Sequence, residues 1–219
     1  MKVKLVSYSK PTELFEEEGI KDAQELIAYC ARVSNPSNQM NTETSSKLIK
    51  YLIKNAHWSP LEMVSACLEI ETTRDIARQI LRHRSFSFQE FSQRYANPVD
   101  DLDFVIREAR IQDKENRQNS IKTDDSKLKS DWEEKQEQVI EIAKETYQWA
   151  IEKGIAKEQA RSVLPEGNTV SRLYMNGTIR SWIHYIQLRS ENGTQKEHSD
   201  IALACAEVID KIFPIGSDL

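Results

Sequence analysis

Two periods divide this chain into strands and helices. At residues 63–73, Val64, Ala66, Leu68 and Ile70 alternate with Ser65, Cys67, Glu69 and Glu71, the period of a half-buried strand. KVKLVSY at 2–8 predicts a first strand, LDFVIREARI at 102–111 another, and residues 170–175 one more. Helical spacing governs most of the rest. Residues 12–34 predict one or two helices, and 42–56 predicts an amphipathic helix with Leu48, Ile49, Leu52, Ile53 and Ala56 on its apolar side. Residues 73–84 form a further helix whose buried face is Ile76, Ala77, Ile80 and Leu81.

Residues 112–127 are polar and aperiodic, which predicts a long solvated loop. Ser130 and Glu133 then have the spacing of a capping box for a helix running to Gly154, with Val139, Ile142, Ala143, Thr146 and Ala150 along one side. A short helix precedes RSVLPEGN, and two helices finish the chain. The pattern is mixed α/β (α+β), few strands and many helices, in a single domain over 1–219. It holds no internal repeat and no Gly-rich phosphate loop, so a bound nucleotide has to be held by side chains and helix ends.

Composition narrows the function classes. The formal net charge of -5 argues against nucleic-acid binding through bulk positive charge. No apolar run approaches the ~20 residues of a membrane span. MKVKLVSYSKP lacks the apolar centre of a secretory signal, so cytoplasmic residence is expected. Cys30 and Cys205 share helical stripes with apolar residues, and Cys67 lies in an alternating strand. All three read as structural rather than nucleophilic. The four histidines have no metal-ligand spacing, so no metal is expected, and His198 reads as structural.

Residues 82–95, RHRSFSFQEFSQRY, concentrate cations, hydroxyls and aromatic rings around one carboxylate, Glu90. On the helix before them Arg74, Arg78 and Arg82 are four apart, and Gln79, Arg82 and His83 project together. Arginines bind phosphate through two parallel hydrogen bonds and aromatic faces stack on planar rings, so this is a candidate nucleotide site. The residues alone leave a plainer alternative open: a charged helix end and an aromatic loop, with the arginines paired to surface carboxylates. A module that binds nucleic acid through the same patch is disfavoured by the acidic net charge.

Arg82-His83-Arg84, seven residues and then Ser92, extended through Arg94 and Tyr95, resembles the signature of the flavin-dependent thymidylate synthases. HWSPLEM at 57–63, ARSVLP at 160–165 and NGTIRSWIHYIQLR at 176–189 resemble further segments of that family, so the likeness covers most of the chain. Gln89, Thr178 and Met63 stand where the family more often has other residues. The resemblance implies a central, mostly antiparallel sheet flanked by helices. It implies methylation of dUMP to dTMP with methylenetetrahydrofolate as carbon donor and with FAD recharged by NADPH. It also implies a homotetramer whose active sites are shared between subunits, with no nucleic-acid or membrane partner. A fold-retaining, non-catalytic relative is disfavoured by the joint presence of Arg94, Arg161 and Arg189.

Residue by residue, the resemblance places Gln79, Arg82, Glu90, Phe91, Ser92, Gln93, Arg94, Arg161 and Arg189 at dUMP. Arg94 and Arg161 are suited to the phosphate and Arg189 to the uracil ring. Flavin contacts are implied for His57, Ser59, Arg82, His83, Arg84, Glu90, Thr178, Arg180 and His184. Without the resemblance, His184, beside Trp182 and Ile183, would read as a core histidine. The catalytic centre is expected to contain Arg189, His57 and Ser92. Ser92 is taken there as a phosphate-binding hydroxyl, since no base beside it makes it a nucleophile. Reduced flavin would take over the activation of uracil that an enzyme cysteine provides in other thymidylate synthases.

Overall fold

A computed structural model describes residues 1–214; the last five positions of the expected 1–219 domain lie outside the described residues. The strands are β1 (Lys2–Tyr8), β2 (Ser65–Thr73), β3 (Ser87–Glu90), β4 (Arg110–Gln112), β5 (Ser120–Lys122) and β6 (Val170–Thr178). The helices are α1 (Glu13–Glu17), α2 (Ala23–Ala31), α3 (Ser45–Lys54), α4 (Arg74–Ile80), α5 (Pro98–Asp101), α6 (Ser126–Glu152), α7 (Lys157–Ala160), α8 (Ile179–Ser190) and α9 (Lys196–Asp210). The main sheet has the order β1-β2-β6-β3, and every pairing in it is antiparallel.

Alternation in β2 and β6 decides which side of the sheet is covered. Ala66, Leu68 and Ile70 are buried, as are their ladder neighbours Leu173, Met175 and Gly177. Ile27, Ile49, Ile76, Ile183, Ile201 and Cys205 from the helices close over them in one core. Trp182 of α8 is fully buried there and donates its indole N–H to the carbonyl of Ala66 at 3.0 Å. The opposite face carries ionic pairs: Lys2 and Arg172 flank Glu71, while Lys4 and the Tyr174 hydroxyl flank Glu69. Such exposed pairs contribute little to stability. An antiparallel sheet tolerates one polar face, so they suffice to keep it solvated.

Two strands run into helices without a loop. β2 becomes α4 at Thr73, and β6 becomes α8 at Thr178. Each junction extends the β2–β6 ladder by one bond, Arg74 N–H to the Thr169 carbonyl and Ile179 N–H to the Val64 carbonyl, both 2.9 Å. Thr178 caps α8 by accepting from the Ser181 amide. Opposite Ala66, Gly177 lies against the Phe86 ring. A Cβ at Gly177 would stand 3.2 Å from Phe86 Cγ and closer still to Cδ1.

Four expectations are corrected. Residues 102–111 are not a strand: Phe104 makes one isolated bridge to Thr169, and only Arg110–Gln112 pairs, in the β4–β5 hairpin. A side chain replaces the ladder there, because Gln136 accepts from the Arg107 amide and donates to its carbonyl. Residues 112–127 are not one loop, since the hairpin and the start of α6 lie within them. α6 starts a turn before Ser130, because the Asp125 carboxylate accepts from the Leu128 amide and caps it first. Its buried face is Gln136, Ile140, Ala143, Tyr147 and Ala150, while Val139 is 52% and Ile142 65% exposed. Helical spacing had placed an apolar stripe correctly but could not tell which of two neighbouring stripes meets the core. In addition β3, which went unpredicted, pairs the 82–95 stretch to the edge of the sheet.

Gly177→Ala should lower stability by about 1–3 kcal/mol, the usual cost of forcing a group into a packed core. Urea unfolding checks this, and Phe86→Leu in the same chain should recover part of the loss.

Candidate active site

The residues expected at the site fall into three groups. The first lies where the end of α4 meets α8 and α9. His83, in the turn after α4, accepts at Nε2 from Arg189 Nε at 2.9 Å. A guanidinium only donates, so this bond requires a neutral imidazole there. Burial, the charge of Arg189 and that of Arg82 push the His83 pKa down to about 4. Tyr185 packs edge-on against His83 with ring centroids 4.9 Å apart, and His198 of α9 lies 6.2 Å away. His198 is fully buried, and burial together with Arg189 and His83 lowers its pKa to about 3. Gln79 turns its oxygen to His198 Nδ1 at 3.3 Å and its amide nitrogen to Gln195 at 2.9 Å.

The second group forms a pocket of about 450 Å³ lined by Arg74, Arg78, Gln93, Glu158, Arg161, Ser162, Leu164 and Glu166. Carboxylates hold the guanidiniums at its rim: Arg78 to Glu166 at 2.7 Å, Arg94 to Glu158 at 3.1 Å. Arg74 lies 3.6 Å from both Glu90 and Glu166, and Glu90 also accepts from Ser171 at 2.7 Å. One buried donor in this pocket, Gln93 Nε2, has no hydrogen-bond partner although Gln93 is only 3% exposed, and Arg74 Nη1 meets only the Glu90 carboxylate at 3.6 Å. Buried N–H groups without partners are costly, so an anion with several oxygens fits the space chemically.

The third group borders α8 near its N-terminus. The turn Ser59–Glu62 packs against α8 through an Arg180–Glu62 ion pair and through Trp58, whose ring meets His184 edge-on at 4.4 Å. His184 is exposed there rather than buried in the core, and the partial desolvation of its ring together with the charge of Arg180 lowers its pKa. His57, Ser59, Arg82 and Arg84 are also exposed. The Ser181 hydroxyl donates to the Ser85 carbonyl at 3.3 Å, which ties the Arg82–Arg84 turn to the same helix.

Several expected residues are not drawn into these groups through their side chains. His57 meets Tyr51 edge-on at 5.9 Å. The Ser92 hydroxyl accepts a long 3.4 Å bond from the Arg94 amide. Thr178 spends its hydroxyl on the helix cap. Phe91 adds a backbone bond to Arg172 at 2.8 Å that extends the β3 edge. Conversely, Arg74 and Arg78 were read from the sequence only as one side of a helix and were not assigned to the site. Their four-residue spacing toward Arg82 was the signal. Among the described residues no His/Cys/Asp/Glu group could hold a metal ion, and no helix is long and apolar enough to cross a membrane.

The fold is shared with a solved pyrimidine-nucleotide methylase. A UMP/dUMP methylase from Streptomyces cacaoi, solved with 5-Br dUMP, superposes with a TM-score of 0.79 at 27% identity, covering 98% of this chain and 91% of that one. The family model described as thymidylate synthase complementing protein matches residues 13–215. A Synechocystis protein named flavin-dependent thymidylate synthase is 50% identical over 98% of this chain and 96% of its own length. A Paramecium bursaria Chlorella virus 1 protein named "Probable flavin-dependent thymidylate synthase" is 51% identical over the same shares. The chain belongs to the flavin-dependent thymidylate synthase family.

The neutral histidines set a pH dependence. In the unfolded chain they titrate near the ordinary value of 6.5, and in the fold near 4 and 3. Between those values the unfolded state binds more protons, so stability falls as pH falls from about 6.5 toward about 4. Urea midpoints at about pH 7 and about pH 5 should show the loss, and His83→Asn should make the slope shallower. Equal slopes would mean that His83 is not held neutral.

Proposed function

We propose that this chain methylates dUMP to dTMP, with methylenetetrahydrofolate as carbon donor and FAD, recharged by NADPH, as reductant. The observation that carries the reading is the arginine-lined pocket with the unsatisfied buried Gln93 amide, itself part of the signature stretch. Arg161, Arg74, Arg78, Arg94 and the Gln93 amide would hold the phosphate of dUMP there. The UMP/dUMP methylase of similar fold is described as bound to 5-Br dUMP, which supports a nucleotide monophosphate as ligand.

The residues bordering α8 suit FAD chemically. The exposed cations Arg82 and Arg84, the half-buried Arg180 and the Ser59 hydroxyl would bind a pyrophosphate, and Trp58 with His184 offers a ring platform. Bound flavin would supply the hydride that saturates the pyrimidine. Arg189, oriented by neutral His83, would face the uracil and offset the negative charge that grows on it. The cysteines are set against covalent attack. Burial raises the pKa of Cys30, Cys67 and the fully buried Cys205, which keeps all three as thiols. Ser92 has no adjacent base and serves as a hydroxyl of the dUMP site.

Assembly into a homotetramer with shared sites belongs to the same reading. Leu128, Trp132, Val139, Ile142 and Trp149 follow steps of four, seven, three and seven residues along the outer side of α6 and are 42–65% exposed. That is the seam spacing by which one helix packs on another, and a second copy of the chain would cover it.

Acid release from the purified protein should yield FAD, and dUMP should accelerate oxidation of the reduced flavin in the presence of the folate. A protein without flavin that also fails to take it up would refute the reading. Arg161→Ala should raise KM for dUMP more than it lowers kcat, because phosphate charge is the same in ground and transition states. Arg189→Ala should lower kcat by roughly a hundredfold, the worth of one well-placed donor of on the order of 3 kcal/mol. Arg189→Lys should rescue only in part, lacking the planar fork. For the assembly, Ile142→Glu should reduce the mass measured by light scattering.

A further inference from the structure

Gln79 lies in a hydrogen-bond chain whose direction can be worked out from one end. Arg107 and Arg110 grip the Glu197 carboxylate at 3.1 and 2.5 Å. A carboxylate so held only accepts, so the bond between Gln195 Nε2 and Glu197, at 3.0 Å, turns the Gln195 amide nitrogen toward it. The Gln195 oxygen then faces Gln79 and takes a bond from Gln79 Nε2 at 2.9 Å. The Gln79 oxygen is left facing His198 Nδ1 at 3.3 Å, which makes Nδ1 the protonated nitrogen.

His198 enforces the same direction from the other end. It is fully buried, and its Nε2 has no partner. Were Gln79 to flip, its NH2 would face Nδ1 and the ring proton would have to move to Nε2, leaving a buried N–H without an acceptor. Orphaned buried N–H groups are rarer in proteins than orphaned acceptors. Gln195 is exposed, whereas His198 is enclosed by the core. The rigid lock on Gln79 is therefore His198.

Resting on the placement of Gln79 at dUMP, we propose that Gln79 reads the pyrimidine edge and that His198 is a positioning residue for substrate selection. It holds the Gln79 carboxamide in one flip state, so that the remaining N–H and lone pair complement uracil and mismatch cytosine. Uracil presents an N3–H donor beside the O4 acceptor, and cytosine presents the reverse, an N3 acceptor beside the N4 amino donor. Flipping a carboxamide makes the same exchange. A freely flipping glutamine would accept both bases, and a locked one only one of them.

Two measurements test this. In protein labelled with ¹⁵N-histidine, the His198 signal, identified by its loss in His198→Asn, should be that of the Nδ1–H tautomer. An Nε2–H signal overturns the proposal whatever the protein's substrate. Next, dUMP binding and competition by dCMP are compared in wild type, His198→Phe and His198→Asn at equal flavin content and assembly. His198→Phe keeps a ring but loses the donor, and should narrow the preference for dUMP over dCMP by roughly tenfold. His198→Asn returns an N–H near the place of Nδ1 and should restore most of the preference, even if the Phe variant fails to fold. An unchanged preference in a folded His198→Phe, or no recovery in His198→Asn, overturns the role. A wild type that binds neither nucleotide refutes the dUMP reading and the selection role together, whereas the tautomer alone decides the lock.

Discussion

The bond from the Trp182 indole to the Ala66 carbonyl holds the rest of the molecule in place. Burying an indole N–H without a partner would cost more than the ring's apolar burial returns at that atom, so the helix can sit in only one rotation over the sheet. That rotation carries Arg180 and His184 to the side where the Ser59–Glu62 turn packs, and it delivers Arg189 to His83. Phe86 rests on the same indole, with centroids 4.8 Å apart, and needs the bare backbone of Gly177. The signature stretch is thus pinned to the core by an aromatic residue that itself carries no chemistry.

Much of this architecture was legible because β2 alternates cleanly between apolar and polar positions and Ile49 and Leu52 of α3 lie at helical spacing, and their burial follows; Ala56, expected on the same stripe, lies beyond α3 and is exposed. The failures have two causes. Around 102–125 the chain satisfies its backbone with side chains, Gln136 on Arg107 and Asp125 on Leu128, and such bonds leave no period behind. On α6 two apolar stripes lie side by side, one for the core and one facing out, and a single chain cannot say which is which.

The candidate site divides in the same way. Arg82, His83, Arg189 and Arg161 could be named from motifs, since each lies in a recognisable segment. Arg74 and His198 could not, because their roles come from burial and from neighbours distant in sequence: Glu90, Glu166 and Gln79. Gln195 and Glu197 likewise matter only through what they touch.

The loopless junctions at Thr73 and Thr178 bear on how such a protein can change over generations. Where a loop joins strand to helix, added residues are absorbed and the helix keeps its face. Here a single inserted residue would rotate everything downstream by about 100°, carrying Arg189 and His83 away from each other. Lineages of this fold can therefore drift by exchanging side chains along α4 and α8 but not by lengthening the chain at their roots. Variation in length is left to places such as the hairpin of β4 and β5, remote from both junctions in sequence.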